Sequence, residues 1–321
     1  MDQIGIFLET VKLARKQSYL NLALFPLLAP DKGDPYYLTL EEVLEKETMV
    51  ITEVGEGGRV PELKILNRGA QQVLIVEGEE LVGAKQNRIV NATFLIAGNS
   101  QVIIPVSCVE RGRWDYRTRN FESGRKIMHA SLRKAHQGRV MASLACGDGF
   151  ESDQGMIWDE LAEKAHRMKV RSPTGAMADL FENQEERFSR YVKSFHLVDN
   201  QVGAVFVING EVTGLDCFGH QKTFSRFFEK LLKSYVLDAL DWFQEAKTIK
   251  PRPEQIRRFL DATQNAKREI YPSIGLGKNL ILHSKALSGS ALVHEDKVLH
   301  LSAFKSGDQG IGAVRASSRR F

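Results

Sequence analysis

VGAVFVINGEVTGLDCF, residues 202–218, decides the fold class. Two valine-rich runs flank Asn209-Gly210, and both of these residues tolerate the positive φ that a two-residue hairpin turn demands, so the stretch predicts an antiparallel hairpin. A second stretch, NLILHSKALSGSALVHEDKVLHLSAF (279–304), is strand-like throughout and repeats the first. Counted from Gly203 and from Gly289, Val stands fifth (Val207, Val293) and tenth (Val212, Val298), Leu thirteenth (Leu215, Leu301) and Phe sixteenth (Phe218, Phe304). VLIVEGEELVGA, around Gly78, is a looser third copy with Gly78-Glu79 in the place of Gly210-Glu211. Two readings stand side by side: internal duplication, or the period-two burial that any hairpin with one buried face shows. So few copies do not make a solenoid. Related hairpins would meet around a pseudo-symmetric centre and put the GEELVGAKQNR strip in a cleft between layers, where ligands usually bind.

Working outward, residues 72–109 alternate apolar β-rich runs with EGEE and AGNS, which predicts a meander of three or four strands. Thr39 is a plausible N-cap for a short helix over 38–48, with acids in its first turn. Residues 111–145, 158–169 and 178–195 carry apolar positions at three- and four-residue steps and predict helices. Between the last two, RSPTGAM (171–177) has Pro173 and Gly175, marking a tight connection or a loop held close to something. A long helix is expected over 221–243 and another from about 254 to 268, after Pro251 and Pro253. The expected fold is α+β: antiparallel hairpins build one mixed β-rich core, with central and C-terminal helices packed on it. The whole chain, 1–321, is expected to form a single large domain, with a β-rich polar region at 60–115, a helical insert at 116–195, a hairpin, long helix and hairpin at 196–305, and a flexible tail at 306–321.

The chain is 43% apolar and 26% charged, which excludes wholesale disorder and a disulfide-stapled miniature. Its net charge of +4 is too small to imply a nucleic-acid or membrane protein. Its distribution is uneven: from Arg111 to Arg139 nine cations stand against two anions, +7 in that segment and therefore −3 in the remainder. The three cysteines have no CxxC spacing, so neither a disulfide framework nor a zinc knuckle is expected, and a reducing compartment is the default. No run approaches the roughly 20 apolar residues of a membrane span, and the first residues carry no sustained apolar leader. The expectation is a complete, cytoplasmic chain with no membrane partner.

Three places could carry chemistry. Glu77–Arg88 crowds Glu77, Glu79 and Glu80 with Lys85, Gln86, Asn87 and Arg88 between two apolar strands. Glu79 or Glu80 is the acid/base candidate, Lys85 and Arg88 could hold a phosphate, and Gln86 and Asn87 could read sugar hydroxyls or an amide. The plain alternative is a solvated hairpin end. Residues 104–114 (IPVSCVERGRW) follow: strand alternation puts Ser107 with Val109 on one face and Cys108 with Glu110 on the other, a candidate site pair, with Arg113 and Trp114 placed to bind phosphate and stack a base. No nearby histidine activates Cys108, which fits a buried structural thiol better. The basic stretch 111–139, with Trp114, Tyr116 and Phe121 interleaved, is the one plausible nucleic-acid footprint, against the alternatives of a small anionic ligand or a solvated face. GLDCFGH (214–220) offers Asp216, Cys217 and His220, either a small catalytic group or a turn before a helix. The eight histidines make no metal-ligand spacing, and no Walker loop or GxGxxG follows a strand, so no metal site is expected and no cofactor is named.

VEGEELVGAKQNRIVNATFLI, IIPVSCVERGRW, SPTGAM, VGAVFVINGEVTGLDCF and SGSALVHEDKVLHLSAF together resemble the ARG- and rhodanese/phosphatase-superfamily-associated protein domain, where ARG stands for ADP-ribosylglycohydrolase. The likeness runs from about residue 15 to 305. By association it implies handling of NAD-derived or ADP-ribose-like nucleotides, without giving a reaction. The matching polar positions are Glu79, Glu80, Lys85, Gln86, Asn87 and Arg88, then Ser107, Cys108, Glu110, Arg113 and Trp114. The functional expectation is binding, with hydrolysis or transfer as the activity, of an ADP-ribose-like or other phosphorylated nucleoside. The alternative is a non-catalytic protein that binds RNA or an acidic partner through 111–139. Oligomeric state is not legible.

Overall fold

The computed structural model describes residues 2–55, 61–243 and 251–307. Its backbone is α+β, as the hairpin signals predicted. A nine-stranded antiparallel sheet carries the strands Leu22–Leu28, Gln201–Ile208, Glu211–Phe218, Lys297–Lys305, Leu287–His294, Lys278–His283 and Lys267–Pro272 in that spatial order. Short strands Lys12–Leu13 and Gln17–Tyr19 add to its first edge.

Both predicted hairpins form, and they are more alike than period-two burial requires. In the first, Asn209 and Gly210 both have positive φ, 52° and 81°; in the second, Glu295 and Asp296 do, 48° and 58°. Each has a register break, at Phe206/Val207 and at Leu292/Val293. Turn and bulge are both displaced by 86 residues (295 − 209 and 292 − 206), the same offset as Gly289 from Gly203. The two hairpins lie side by side, and Asp216 faces Ser302 across the shared ladder. Those two positions are also 86 apart, so a local pseudo-twofold axis passes between them. The third copy is not a hairpin. Gln72–Ile75 pairs with Phe94–Ile96 and Tyr37–Thr39, whereas Glu79–Gly83 belongs to another sheet.

All eight residues of Gln201–Ile208 are buried. Ala204, Phe206 and Ile208 join a core under the helix Gln221–Asp241, and Val205 and Val207 join a second core covered by the helices Gln3–Thr10 and Pro253–Gln264. A strand covered on both faces needs a continuous apolar run, which is what the sequence supplies. The long helix keeps its register on the sheet partly through Tyr235, whose ring stacks on Phe206 at 3.8 Å between centroids.

The stretch 72–109 holds five strands and is not a meander. Glu79–Gly83, Arg88–Val90 and Ser100–Cys108 enter a six-stranded sheet ordered Phe121–Ile127, Glu79–Gly83, Arg88–Val90, Ser100–Cys108, Glu62–Asn67, Met49–Glu53. The strand Phe121–Ile127 lies inside the region expected to be a helical insert, and its pairing with Glu79–Gly83 makes that region part of the β layer. The helix expected over 111–145 is confined to Ala130–Cys146, and that over 178–195 is broken into Met177–Glu182 and Glu185–Val192. The short N-terminal helix is Leu40–Glu45, with Thr39 at its N-cap donating its N–H to Glu42 at 2.8 Å. The last helix stops at Gln264, and Lys267–Pro272 is the sheet's edge strand. From residue 308 onward the expected tail lies outside the described residues.

Candidate functional site

The polar strip divides at the turn that opens it. Glu77 reaches the pseudo-symmetric centre, where the GEELVGAKQNR strip was expected, while Glu79–Gly83 and Arg88 lie in strands of the six-stranded sheet and residues 84–87 connect them. At the centre, Arg133 of the helix Ala130–Cys146 grips Asp216 with both terminal nitrogens, at 2.6 and 3.0 Å, and reaches Glu77 at 3.2 Å. Ser302 and Ser290 donate to Glu77 at 2.6 and 3.0 Å, and Tyr235 donates to Asp216 at 2.9 Å. His300 Nε2 lies 3.5 Å from Asp216. Apart from the half-buried Ser290, these groups are buried. Burial pushes both carboxyls up, but Arg133, with His300 beside it, holds both below the ordinary carboxylate range. This centre ties the helix Ala130–Cys146 to both hairpins and to Glu77 as a bolt between layers, with Asp216 of GLDCFGH gripped by Arg133. His220 of the same motif is the N-cap residue of the long helix, with no side-chain capping bond.

A second polar cluster gathers most of the expected residues. Glu110 is its hub: Arg113 Nε donates to it at 2.9 Å, Thr174 Oγ1 at 3.1 Å and the Asn87 N–H at 3.2 Å. The Arg113 guanidinium also donates to the carbonyls of Ala84 and Asp115 at 2.7 and 2.8 Å and to Asn87 Oδ1 at 2.9 Å. Gln86 donates to the Glu110 carbonyl at 3.0 Å and accepts from Arg88 at 3.0 Å and from Cys108 Sγ at 3.1 Å. Arg88 Nη2 stands 3.6 Å from Glu53. The RSPTGAM loop is held close, as its Pro and Gly suggested: the Gly112 N–H donates to the Thr174 carbonyl at 2.7 Å, and a Cβ at Gly112 would come within 3.0 Å of Thr174, which explains the glycine. Burial raises the Glu110 carboxyl, but the Arg113 contact, the Asn87 N–H and Thr174 more than offset this and leave it below the ordinary range. Burial raises the Cys108 thiol. Cys108 is therefore a protonated donor in this arrangement and not an activated nucleophile.

Gln86, Asn87, Arg88, Cys108, Glu110 and Arg113 thus meet, but they face one another and are buried. They frame a site more than they line one. Glu79 is elsewhere, accepting from the Val76 N–H and from Lys230 Nζ, both at 2.8 Å. Ser107 turns away to donate to Asn91 at 2.8 Å. Lys85, Trp114 and Tyr116 are at the surface of the cluster, with Lys85 Nζ 5.2 Å from the Trp114 ring centre and 5.1 Å from that of Tyr116.

Glu80 is buried with one carboxylate oxygen unpartnered and the other 3.5 Å from Asn87 Nδ2. Burial, against the pull of Lys126 and Asn87, pushes its carboxyl up to about 7. Folded Glu80 therefore keeps a proton that the unfolded chain loses above about 4.5, so stability is full below that value and falls as pH rises to about 7. Glu80→Gln should remove this decline, worth about 3 kcal/mol at 1.36 kcal/mol per unit. Melting curves of both proteins from pH 4.5 to 8 check it; parallel curves would contradict it.

Beside the hub is a hollow of about 680 Å³, between the end of the edge strand Met49–Glu53 and residues 116–119. Thr52, Lys64, Tyr116, Arg117, Thr118 and Arg119 line it, with Glu53 of the Arg88 pair at its wall. Arg117 is tethered loosely to the hub, 3.7 Å from Glu110, and its side chain is 58% exposed. Sequence reasoning missed Lys64, Glu53 and the arginine pair Arg117 and Arg119 as site residues. Their signal was spread over three segments, and the two arginines were counted only within the basic stretch.

The cations of the 111–139 stretch are spread over a loop, a strand and a helix. Arg113 and Arg133 are internal, and Arg125, Lys126 and Arg139 pair with Glu45, Glu182 and Asp153. No group of three or more His, Cys, Asp or Glu side chains that could hold a metal ion occurs among the described residues. No helix among them is long and apolar enough to cross a membrane.

No curated protein and no solved structure matches the chain. The ARG and Rhodanese-Phosphatase-superfamily-associated Protein domain does, over residues 10–304, and the blocks quoted above, including the strip, residues 103–114 with Glu110, and both hairpins, fall inside that span. The chain belongs to this family.

Proposed function

We propose that the chain binds a phosphorylated nucleoside of the ADP-ribose type in the hollow beside the Glu110 hub, as part of NAD-linked metabolism in the cytoplasm, with hydrolysis or transfer of the ligand as the activity to assay. The observation that carries this reading is the convergence of Lys64, Arg117 and Arg119 on one concavity of about 680 Å³ with an aromatic ring, Tyr116, in its wall. The volume lies in the range of small-molecule sites. Arginine forks hold phosphate oxygens bidentately, and an aromatic face stacks a base. The family's name, with its ADP-ribosylglycohydrolase association, points the same way. In this reading Arg113, Asn87 and Glu110 position the 114–119 segment and do not touch the ligand. The rival, an RNA-binding or acidic-partner face on 111–139, draws on cations that are largely paired inside the chain.

Calorimetric titration with ADP-ribose tests the proposal. The double variant Arg117→Ala, Arg119→Ala removes two exposed side chains, so its melting temperature should stay at the wild-type value while its affinity falls about 10- to 100-fold, the worth of one or two charge-assisted contacts. Equal affinity in the double variant would move the ligand elsewhere. Absence of binding by ADP-ribose, NAD and AMP to the folded wild type would remove the proposal.

A further inference from the structure

A second, smaller concavity lies between the RSPTGAM loop and the helix Gln154–Arg167. Its volume is about 290 Å³, and its walls are Trp158, Leu161 and Ala165 from the helix Gln154–Arg167, with Val170 and Leu180 opposite. Arg111 and His166, both exposed, stand at its rim, and no acidic side chain lines it. The Arg111 guanidinium lies over the Trp158 ring at 5.4 Å, which holds the cation at the slot. The Trp158 N–H is closed off from water, so the ring offers the slot an apolar surface. The loop that closes the slot is fixed to the hub by the Glu110–Ala176 bridge and by the Gly112-to-Thr174 hydrogen bond. The slot is therefore a formed cavity with an apolar body and a cationic rim.

We infer that this slot binds a small amphiphilic acid: an aromatic or branched hydrocarbon body against Trp158, Leu161 and Leu180, and a carboxylate on Arg111 with His166 as a second donor. A cation with no acid in the same lining selects an anion, and the apolar walls exclude a fully hydrated one such as inorganic phosphate. The site is separate from the hollow at Arg117 and does not depend on it.

Titration calorimetry of the full chain with phenylacetate, and in parallel with its uncharged isostere phenylacetamide, tests the inference. Phenylacetate should bind about tenfold or more tightly than the amide, since only the acid engages Arg111 as an ion. Arg111→Gln should abolish that preference. Ala162→Leu, at an exposed position lining the slot, should fill it and abolish binding of both compounds without lowering the melting temperature. Failure of phenylacetate to bind at millimolar concentration, equal affinity for acid and amide, or undiminished binding by Ala162→Leu would each overturn the inference.

Discussion

Arg133→Met should destabilise the fold by about 3–5 kcal/mol, the usual cost of removing one partner from a buried ion pair. The variant keeps Asp216 and Glu77, both sealed from water, without the guanidinium that neutralises them. Their remaining partners are the neutral donors Tyr235, Ser302, Ser290 and Gln137, with His300 3.5 Å from Asp216, and these do not replace a bidentate guanidinium shared by two buried carboxylates. The sign of the pH dependence should change with the substitution. In the wild type both carboxyls are held below their unfolded values of 4.5 and 3.8, so their contribution is present at neutral pH and is lost as pH falls below those values. In Arg133→Met burial dominates, the carboxyls are raised, and stability should fall as pH rises above about 4.5. Arg133→Lys should be intermediate, because an ammonium supplies charge without the two-pronged grip seen at 2.6 and 3.0 Å. Urea unfolding at pH 4 and pH 7 separates these cases. An Arg133→Met protein as stable as wild type at pH 7 would show that the bolt contributes nothing.

Glu110→Gln carries the second largest effect, about 2–3 kcal/mol, because a carboxylate that receives donors from Arg113, Asn87 and Thr174 becomes an amide that must aim its own N–H groups at donors. The loss is smaller than at Arg133, since Arg113 keeps the carbonyls of Ala84 and Asp115 and the Asn87 amide oxygen as acceptors. The same change releases Arg117 and the 172–176 loop from a common anchor, so ADP-ribose affinity should fall along with the melting temperature. This distinguishes the hub from the hollow, where Arg117→Ala with Arg119→Ala should reduce affinity alone. A Glu110→Gln protein with unaltered melting and binding would remove the hub from the account.

How much of this was legible depends on sequence separation. The hairpins were readable because Asn209-Gly210 and the alternating valines act within a few residues; that related hairpins would meet around a pseudo-symmetric centre was an expectation, and the particular pairing of Asp216 with Ser302 came only from the structure. The hub was readable in part: strand alternation placed Cys108 with Glu110, and the Glu110 N–H does point at Cys108 Sγ, 3.4 Å away. What alternation does not tell is whether polar residues face water or each other, and here Gln86 accepts from Arg88 and Asn87 accepts from Arg113 inside the chain. The bolt was not readable, since Arg133 and Asp216 are 83 residues apart. A lone aspartate in a strand apolar on both faces signals that a partner must exist, but it does not say which of forty-four Lys and Arg residues supplies it. The hollow was missed for the same reason: Lys64 comes from an internal strand, and Arg117 and Arg119 from a loop without periodicity.

A crystal structure of the chain with ADP-ribose at saturating concentration tests the central claim most directly. The account predicts the diphosphate against Arg117, Arg119 and Lys64, a ring of the ligand on Tyr116, and the Glu110 hub unchanged. Ligand bound at any other place, or a hollow left empty while calorimetry shows the protein saturated, would contradict it.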